Sequence, residues 1–437
     1  MQKWKVLYFL VFVGALILTA SLTTDKGMTS TLRSVLLSRD SLLKLRNISS
    51  SSTAAYIERI KSSPTAAYIK RIGSDIKDQI SRYTSGEENK LIGNNGVVLS
   101  WNRYGDLTTL FGWRPKDLQE SFLSDYKSPC FLIDAKLFCL PFFFLAGMPQ
   151  SGTEDIWSKI TQHHHVATSN RDPHWWTRHI RADVNLRAYS FQLTRDLRNH
   201  LRFAEKSSHL RTVKEMIVGD GSYSTFCDNL LWEKSKDVDR GPGTFQMIKS
   251  ILPKAKFIIS LREPANRLYS EYLDSSHLKP KTADAYHSIV TKAKQSLADC
   301  ISEIGVRRCA LSATINKTTG TEDLPRIQLS LYTVFIQEFL KHFPRDQLFV
   351  VRMEDWYSGC KDILPQLFKF LELDPLPKAS INPICEKRRQ TVINQSNVTA
   401  GLQLAATKHM VRNFLAPYNQ QLADILEDPL FLWSDVA

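Results

Sequence analysis

The stretch Pro141-Phe-Phe-Phe-Leu-Ala-Gly-Met-Pro-Gln-Ser-Gly-Thr-Glu-Asp-Ile-Trp157 decides the fold. Its apolar run stops abruptly at glycine. Phe142 to Ala146 reads as a strand buried on both faces, Gly147 to Gly152 as a tight loop, and Thr153 onward as a helix with Glu154 and Asp155 in its first turn. Backbone N–H groups of such a loop, with the unpaired N–H groups of the helix start, make a site for a tetrahedral anion. The spacing Gly147-x-x-x-x-Gly152 matches the front of a nucleotide triphosphate loop, but Thr153-Glu154 follows where that motif has Lys and then Ser or Thr. An ATP or GTP enzyme is therefore disfavoured. A sulfuryl group carries less charge than a phosphoryl group, and its transfer can proceed on backbone donors and one or two cations without a metal.

Two further segments join this loop. Arg171-Asp-Pro-His-Trp-Trp-Thr-Arg178 sets a carboxylate ahead of a proline and an aromatic pair, which suits a general base held at a cleft wall against a hydroxyl. His174, Trp175, Trp176 and Arg178 suit a sugar platform, since aromatic faces pack on pyranose rings and Arg grips sulfate or carboxylate. Core packing is the rival role for the tryptophans: on extended chain adjacent ones face opposite ways, so at most one is expected at the ligand, with the other in the core. Arg262 ends an apolar strand and Ser270 follows on the next helix, so both can reach one phosphate at the carboxyl edge of a sheet.

Together the three segments resemble the Golgi carbohydrate sulfotransferases, and the double Trp resembles the N-acetylgalactosamine 4-sulfate 6-O-sulfotransferase group in particular. Gly-Met-Pro-Gln-Ser-Gly-Thr is similar to the family's 5′-phosphosulfate loop, and Leu261-Arg-Glu-Pro264 through Ser270 to its 3′-phosphate segment. The likeness runs from about Pro129 to about Trp433. It implies 3′-phosphoadenylyl sulfate as a cosubstrate held by Gly147, Gln150, Ser151, Gly152, Thr153, Arg262 and Ser270. It also places Asp172 where the family has its Glu base. One departure matters: the family's lysine, understood to stabilise the leaving oxygen, is Gln150 here. Low turnover is expected unless Arg171 or another basic residue takes its place. A relative that binds sulfated polysaccharide with little or no activity is the rival reading.

The rest of the chain supplies context. A length of 437 residues with 43% hydrophobic content supports a large buried core, and the net charge of +13 points to an acidic partner. Lys3 and Lys5 precede an uncharged apolar run, Val6 to Leu22, at the lower limit for spanning a bilayer; a cleaved signal peptide, which has the same basic start and apolar middle, is the rival to a retained anchor. The expected organisation is a cytoplasmic tail over 1–5, a signal anchor over 6–22, a stem over 23–125 and a lumenal sulfotransferase domain over 126–437. That makes a single-pass type II Golgi membrane protein. Within the stem Thr53-Ala-Ala-Tyr-Ile-Glu-Arg-Ile60 returns as Thr65-Ala-Ala-Tyr-Ile-Lys-Arg-Ile72, read as a duplication in a tolerant spacer.

Seven cysteines and four Asn-x-Ser/Thr sites, at Asn47, Asn316, Asn394 and Asn397, agree with oxidising surroundings and disfavour a nucleic-acid partner. Cys130 with Cys139, Cys300 with Cys309 and Cys360 with Cys385 are placed to close loops, leaving Cys227 over. Gln162-His-His-His165 reads as a solvated helix end, because adjacent positions point in different directions. Met216 to Val218, Phe257 to Leu261 and Leu348 to Val351 are further buried strands, with amphipathic segments between them at Leu329 to Phe343 and Ile363 to Leu371. The expected fold class is α/β, a P-loop-like sulfotransferase fold with a central parallel sheet flanked by helices. Lys387, Arg388 and Arg389 form a basic run suited to closing over the nucleotide or meeting the acidic polymer. A glycosaminoglycan is the expected partner, no metal is expected, and self-association into a homodimer is left open.

Overall fold

A computed structural model describes residues 91–92, 98–99, 115–167, 171–179, 186–204, 210–228, 243–275, 281–311, 325–387 and 401–436. The anchor, the duplicated stem segment, the four Asn-x-Ser/Thr sites, Arg388 and Arg389 lie outside the described residues. Among the described residues no helix is long and apolar enough to cross a membrane.

Among the described residues nine strands fall into two sheets. β1 (Leu91–Ile92), β2 (Val98–Leu99), β3 (Cys130–Ile133) and β4 (Lys136–Cys139) form the smaller one, with every pairing antiparallel. β1 and β2, with the helix Pro115–Glu120, fall within the stretch read as stem. Asp134 and Ala135 both adopt positive φ at the tip of the β3–β4 hairpin, which matches the twist of a tight hairpin turn. Its ends are paired in register at Cys130 and Cys139 and joined by a disulfide. Two more disulfides, Cys300–Cys309 and Cys360–Cys385, leave Cys227 as a free thiol.

The larger sheet positions the site. It runs β6 (Val166–Ala167), β7 (Ile217–Asp220), β5 (Phe143–Gly147), β8 (Lys256–Leu261) and β9 (Leu348–Arg352), and all four pairings are parallel. Strands apolar on both faces demand cover on both. Phe144 and Ala146 of β5 point into one cluster with Val218, Phe257 and Ile259. Phe143 and Leu145 point into the other with Ile156, Trp157, Val351 and Trp356. From β5 the chain moves out to β6, returns to β7, and then crosses to β8 on the opposite side. The carboxyl end of β5 therefore opens where the winding reverses, the place where open α/β sheets bind ligands.

The histidine run departs from expectation. His163 is 1% exposed, its Nε2 lies 2.9 Å from the Asp374 carbonyl oxygen, and its ring meets Phe368 edge-on. The end of the helix Thr153–Ile160 is covered by the helix Met353–Phe370 and the turn after it, so this histidine fastens two elements instead of facing solvent.

Candidate functional site

At the end of β5, Gly147 has no room for a side chain: a Cβ there would lie 2.3 Å from the Ser260 carbonyl oxygen. Close approach of β5 and β8 thus requires glycine. Gln150 and Gly152 both take left-handed backbone conformations, φ 66° and 76°, which fold the loop back over the strand end. For glutamine this conformation is uncommon and costs energy held by the surrounding contacts. Gly152 also caps the helix Thr153–Ile160 and offers no side chain to its first-turn N–H groups. An anion is the partner that such a helix start accepts. Ser151 Oγ is buried beside it with no hydrogen-bond partner, an expensive state that a bound ligand would relieve.

Beneath the loop, Ser260 Oγ donates to the Ser151 carbonyl oxygen at 2.5 Å. Asp155 of the first turn is buried, accepting from Lys159 Nζ at 2.6 Å and Trp356 Nε1 at 2.7 Å, so the start of the helix is pinned from below.

Two of the residues predicted to hold the donor meet at residue 150. Arg262 Nη1 donates to the Gln150 carbonyl oxygen at 3.1 Å, and Ser270 Oγ donates to Gln150 Oε1 at 3.2 Å. Burial lowers the Arg262 pKa, and its neighbours Glu354 and Tyr332 oppose that effect. The Gln150 amide donates in turn to Asp274 Oδ2 at 2.9 Å. Asp274, the last residue of the helix Pro264–Asp274, had no signal in the sequence that would mark it.

The wall that carries the candidate base stands on the end of β7. Gly221 N donates to the Arg171 carbonyl oxygen at 2.9 Å, and His174 N donates to Ser222 Oγ at 2.9 Å. A Cβ at Gly221 would come within 2.7 Å of Arg171 Cγ and 2.8 Å of Trp157. Arg171 bridges the two sides of the site: its Nη1 lies 3.2 Å from Glu154 on the loop helix, and its Nε donates to Asp172 Oδ2 at 2.6 Å. The other Asp172 oxygen, Oδ1, is buried without a hydrogen-bond partner.

The double tryptophan does not form the platform expected of it. Trp175 is 1% exposed and Trp176 0%, so both sit in the core. The chain here is a tight π-helical turn, Trp175–His179, instead of an extended segment, and alternation no longer applies. Trp175 stacks on Tyr189 at 4.8 Å, and Trp176 meets Phe144 edge-on. His174 and Arg178 remain at the wall. His174 Nδ1 lies 2.8 Å from Ser224 Oγ, while Arg178 pairs with Asp228 and donates to the Tyr223 hydroxyl at 3.2 Å. Tyr223 was missed by the sequence reading, since one tyrosine in a short Ser-rich helix start carries no pattern. Lys387 lies exposed after the helix Lys378–Glu386.

No protein-family model matches the chain. Carbohydrate sulfotransferase 15 of Rattus norvegicus is 30% identical over 318 residues, 68% of this chain and 55% of that protein. The Homo sapiens protein of the same name is likewise 30% identical over 318 residues, with the same shares covered. The chain thus spans about half the length of the curated relatives it matches. Among solved structures, a sulfotransferase from Alicyclobacillus acidocaldarius is 17% identical with a TM-score of 0.40, covering 68% of this chain and 99% of that one. The sulfotransferase domain of the Synechococcus PCC 7002 olefin synthase is 14% identical with a TM-score of 0.34, covering 66% and 94%. Over 68% of its length the chain is thus similar in sequence to carbohydrate sulfotransferases.

Proposed function

We propose that this chain transfers a sulfuryl group from 3′-phosphoadenylyl sulfate to a hydroxyl of a glycosaminoglycan. The acceptor favoured by the family resemblance is the 6-hydroxyl of N-acetylgalactosamine 4-sulfate in chondroitin or dermatan sulfate. The setting proposed with it is the Golgi lumen, with residues 126–437 as the transferase domain behind a membrane anchor at 6–22. One observation carries the reading. The anion loop, the Arg262 and Ser270 contacts and the Asp172 wall converge on one edge of the sheet, and two buried polar atoms there, Ser151 Oγ and Asp172 Oδ1, lack partners.

In this reading the backbone N–H groups from Ser151 to Thr153 hold the 5′ end of the donor, while Arg262 and Ser270 hold its 3′ phosphate. Asp172 Oδ1 accepts the proton of the acceptor hydroxyl as that oxygen forms its bond to sulfur. The bond between sulfur and the bridging oxygen breaks, and 3′-phosphoadenosine 5′-phosphate leaves with the negative charge. His174 and Arg178 line the acceptor side. Gln150 brings a neutral donor where a cation would serve better, and its amide is already engaged with Asp274. That contact favours a second reading, a donor-binding relative with reduced turnover. Incubation of the purified chain with labelled donor and a panel of glycosaminoglycans, beside Asp172→Ala, separates the two. Label on chondroitin sulfate that disappears with Asp172→Ala supports transfer. Donor binding without any transfer supports the second reading, and absence of donor binding defeats both.

A further inference from the structure

Asp220 ends β7 fully buried, and its hydrogen bonds go to Tyr189 and Ser222, neither of which is assigned to donor or acceptor. Its carboxylate is nonetheless fully used. Oδ2 accepts from the Tyr189 hydroxyl at 2.6 Å, and Oδ1 accepts from Ser222 N at 2.9 Å. Both bonds lead to the wall that carries Asp172. The Tyr189 hydroxyl accepts from Trp176 Nε1 at 2.9 Å, and its ring stacks on Trp175. Ser222 accepts from His174 N, and Gly221 between them holds the Arg171 carbonyl oxygen.

A buried carboxylate is costly to keep, and an apolar residue would fill this position more cheaply. What it provides here is direction: one side chain fixes the tyrosine that holds the tryptophan pair, and also the turn that holds Arg171 and His174. Asp172 lies between those anchored residues and has one oxygen still unpartnered. We infer that Asp220 is a positioning residue for Asp172, acting through Tyr189 and Trp176 on one side and through the Gly221–Ser222 turn on the other.

This inference rests on the proposed function for its catalytic meaning, and its test has one arm independent of activity. In Asp220→Asn the shape is kept but one acceptor becomes a donor facing Tyr189. Amide hydrogen exchange in the peptide spanning Arg171–His179 should accelerate at least about tenfold, while Gly147–Thr153 keeps its protection. In transfer assays kcat should fall about tenfold or more with the acceptor KM and the affinity for 3′-phosphoadenosine 5′-phosphate within about twofold, because a displaced base costs rate before binding. Tyr189→Phe, which removes a single hydroxyl, should show the same pattern more weakly and guards against an Asp220→Asn protein that fails to fold. Unchanged exchange at Arg171–His179 in either folded variant would overturn the inference. So would a parallel loss of donor affinity and rate, which marks general damage. If the natural chain transfers to no acceptor, the proposed function fails while the exchange result still decides the positioning.

Discussion

Replacing Gln150 by lysine tests whether the loop lacks the charge that the reaction needs. The Gln150 side chain holds two contacts: its Nε2 donates to Asp274 and its Oε1 accepts from Ser270. Lysine would release the Ser270 hydroxyl for the 3′ phosphate and place an ammonium within reach of both the bridging oxygen and Asp274. The two destinations compete. Asp274 is exposed, so an ion pair with it contributes only about 0.2 to 1 kcal/mol. A preorganised charged donor at the leaving oxygen is typically worth on the order of 2.7 to 4 kcal/mol, a factor of about 100 to 1000 in rate. The second term wins. Gln150→Lys is expected to raise kcat on the order of 100-fold with chondroitin sulfate as acceptor. Adding Asp274→Asn in that background should gain at most about fivefold more, the equivalent of the ion pair removed. Initial rates with labelled donor, beside calorimetry with 3′-phosphoadenosine 5′-phosphate, read both changes. If the natural chain already turns over at about 10 per second, a typical enzyme rate, and lysine adds nothing, another cation has taken the role and the reasoning fails. Arg171, which joins the loop helix to Asp172, would be the first to examine.

Three other outcomes are expected. Arg262→Ala and Ser270→Ala should each weaken binding of 3′-phosphoadenosine 5′-phosphate in calorimetry, with the charged contact costing about 1.5 to 3 kcal/mol and the hydroxyl less; unchanged affinity in both would remove this segment from the donor site. Asp155→Ala strands the buried Lys159 ammonium and removes the acceptor of Trp356, so chemical denaturation should show a loss of about 3 to 5 kcal/mol. Burial raises the Asp220 pKa to about 6, against the hydrogen bonds from Ser222 and Tyr189 and with a further push from the Asp172 charge. A raised folded-state pKa gives stability that is fully present below the unfolded value near 3.8 and lost as pH rises through about 6. The stability of the natural chain relative to Asp220→Asn should therefore fall by about 2 kcal/mol between pH 4 and pH 7, and a flat difference would contradict the buried charge.

The elements that could be read in the sequence are those whose signal is local. Phe142 to Ala146 could only be a strand covered on both sides, and the glycines at 147 and 152 placed a tight turn between it and a helix. The other core strands follow from the same logic, and the structure shifts their ends by a residue or two. Cysteine pairs nine residues apart announced two small loops. The failures are tertiary. Nothing local distinguishes a π-helical turn from extended chain at Trp175 and Trp176, and that choice moved both rings into the core. His163 is buried by a turn more than 200 residues later in the chain, which no local pattern could announce. Asp274 and Tyr223 reach the site from elements whose own sequences are ordinary.

The same contrast explains how the site divides. The proposed donor side is built from one loop, the strand beside it and the helix that follows, with Arg262 and Ser270 each bonded to Gln150. The acceptor side has no such local logic. The wall that carries Asp172 is fastened to β7, to Tyr189 of the helix Leu186–Leu193 and to two buried tryptophans, so it depends on the assembled core. Arg171 is the side chain seen to bridge them, through Glu154 on one side and Asp172 on the other. Substitutions on the loop should therefore change donor affinity or the chemical step without disturbing the base. Those in the Asp220 network should leave donor affinity intact and lower the rate. Arg171→Gln stands apart, because removing the bridge should lower the rate and loosen both the loop helix and the base wall in hydrogen exchange. A variant at Arg171 that affected one side alone would show that the two halves are joined by something other than this guanidinium.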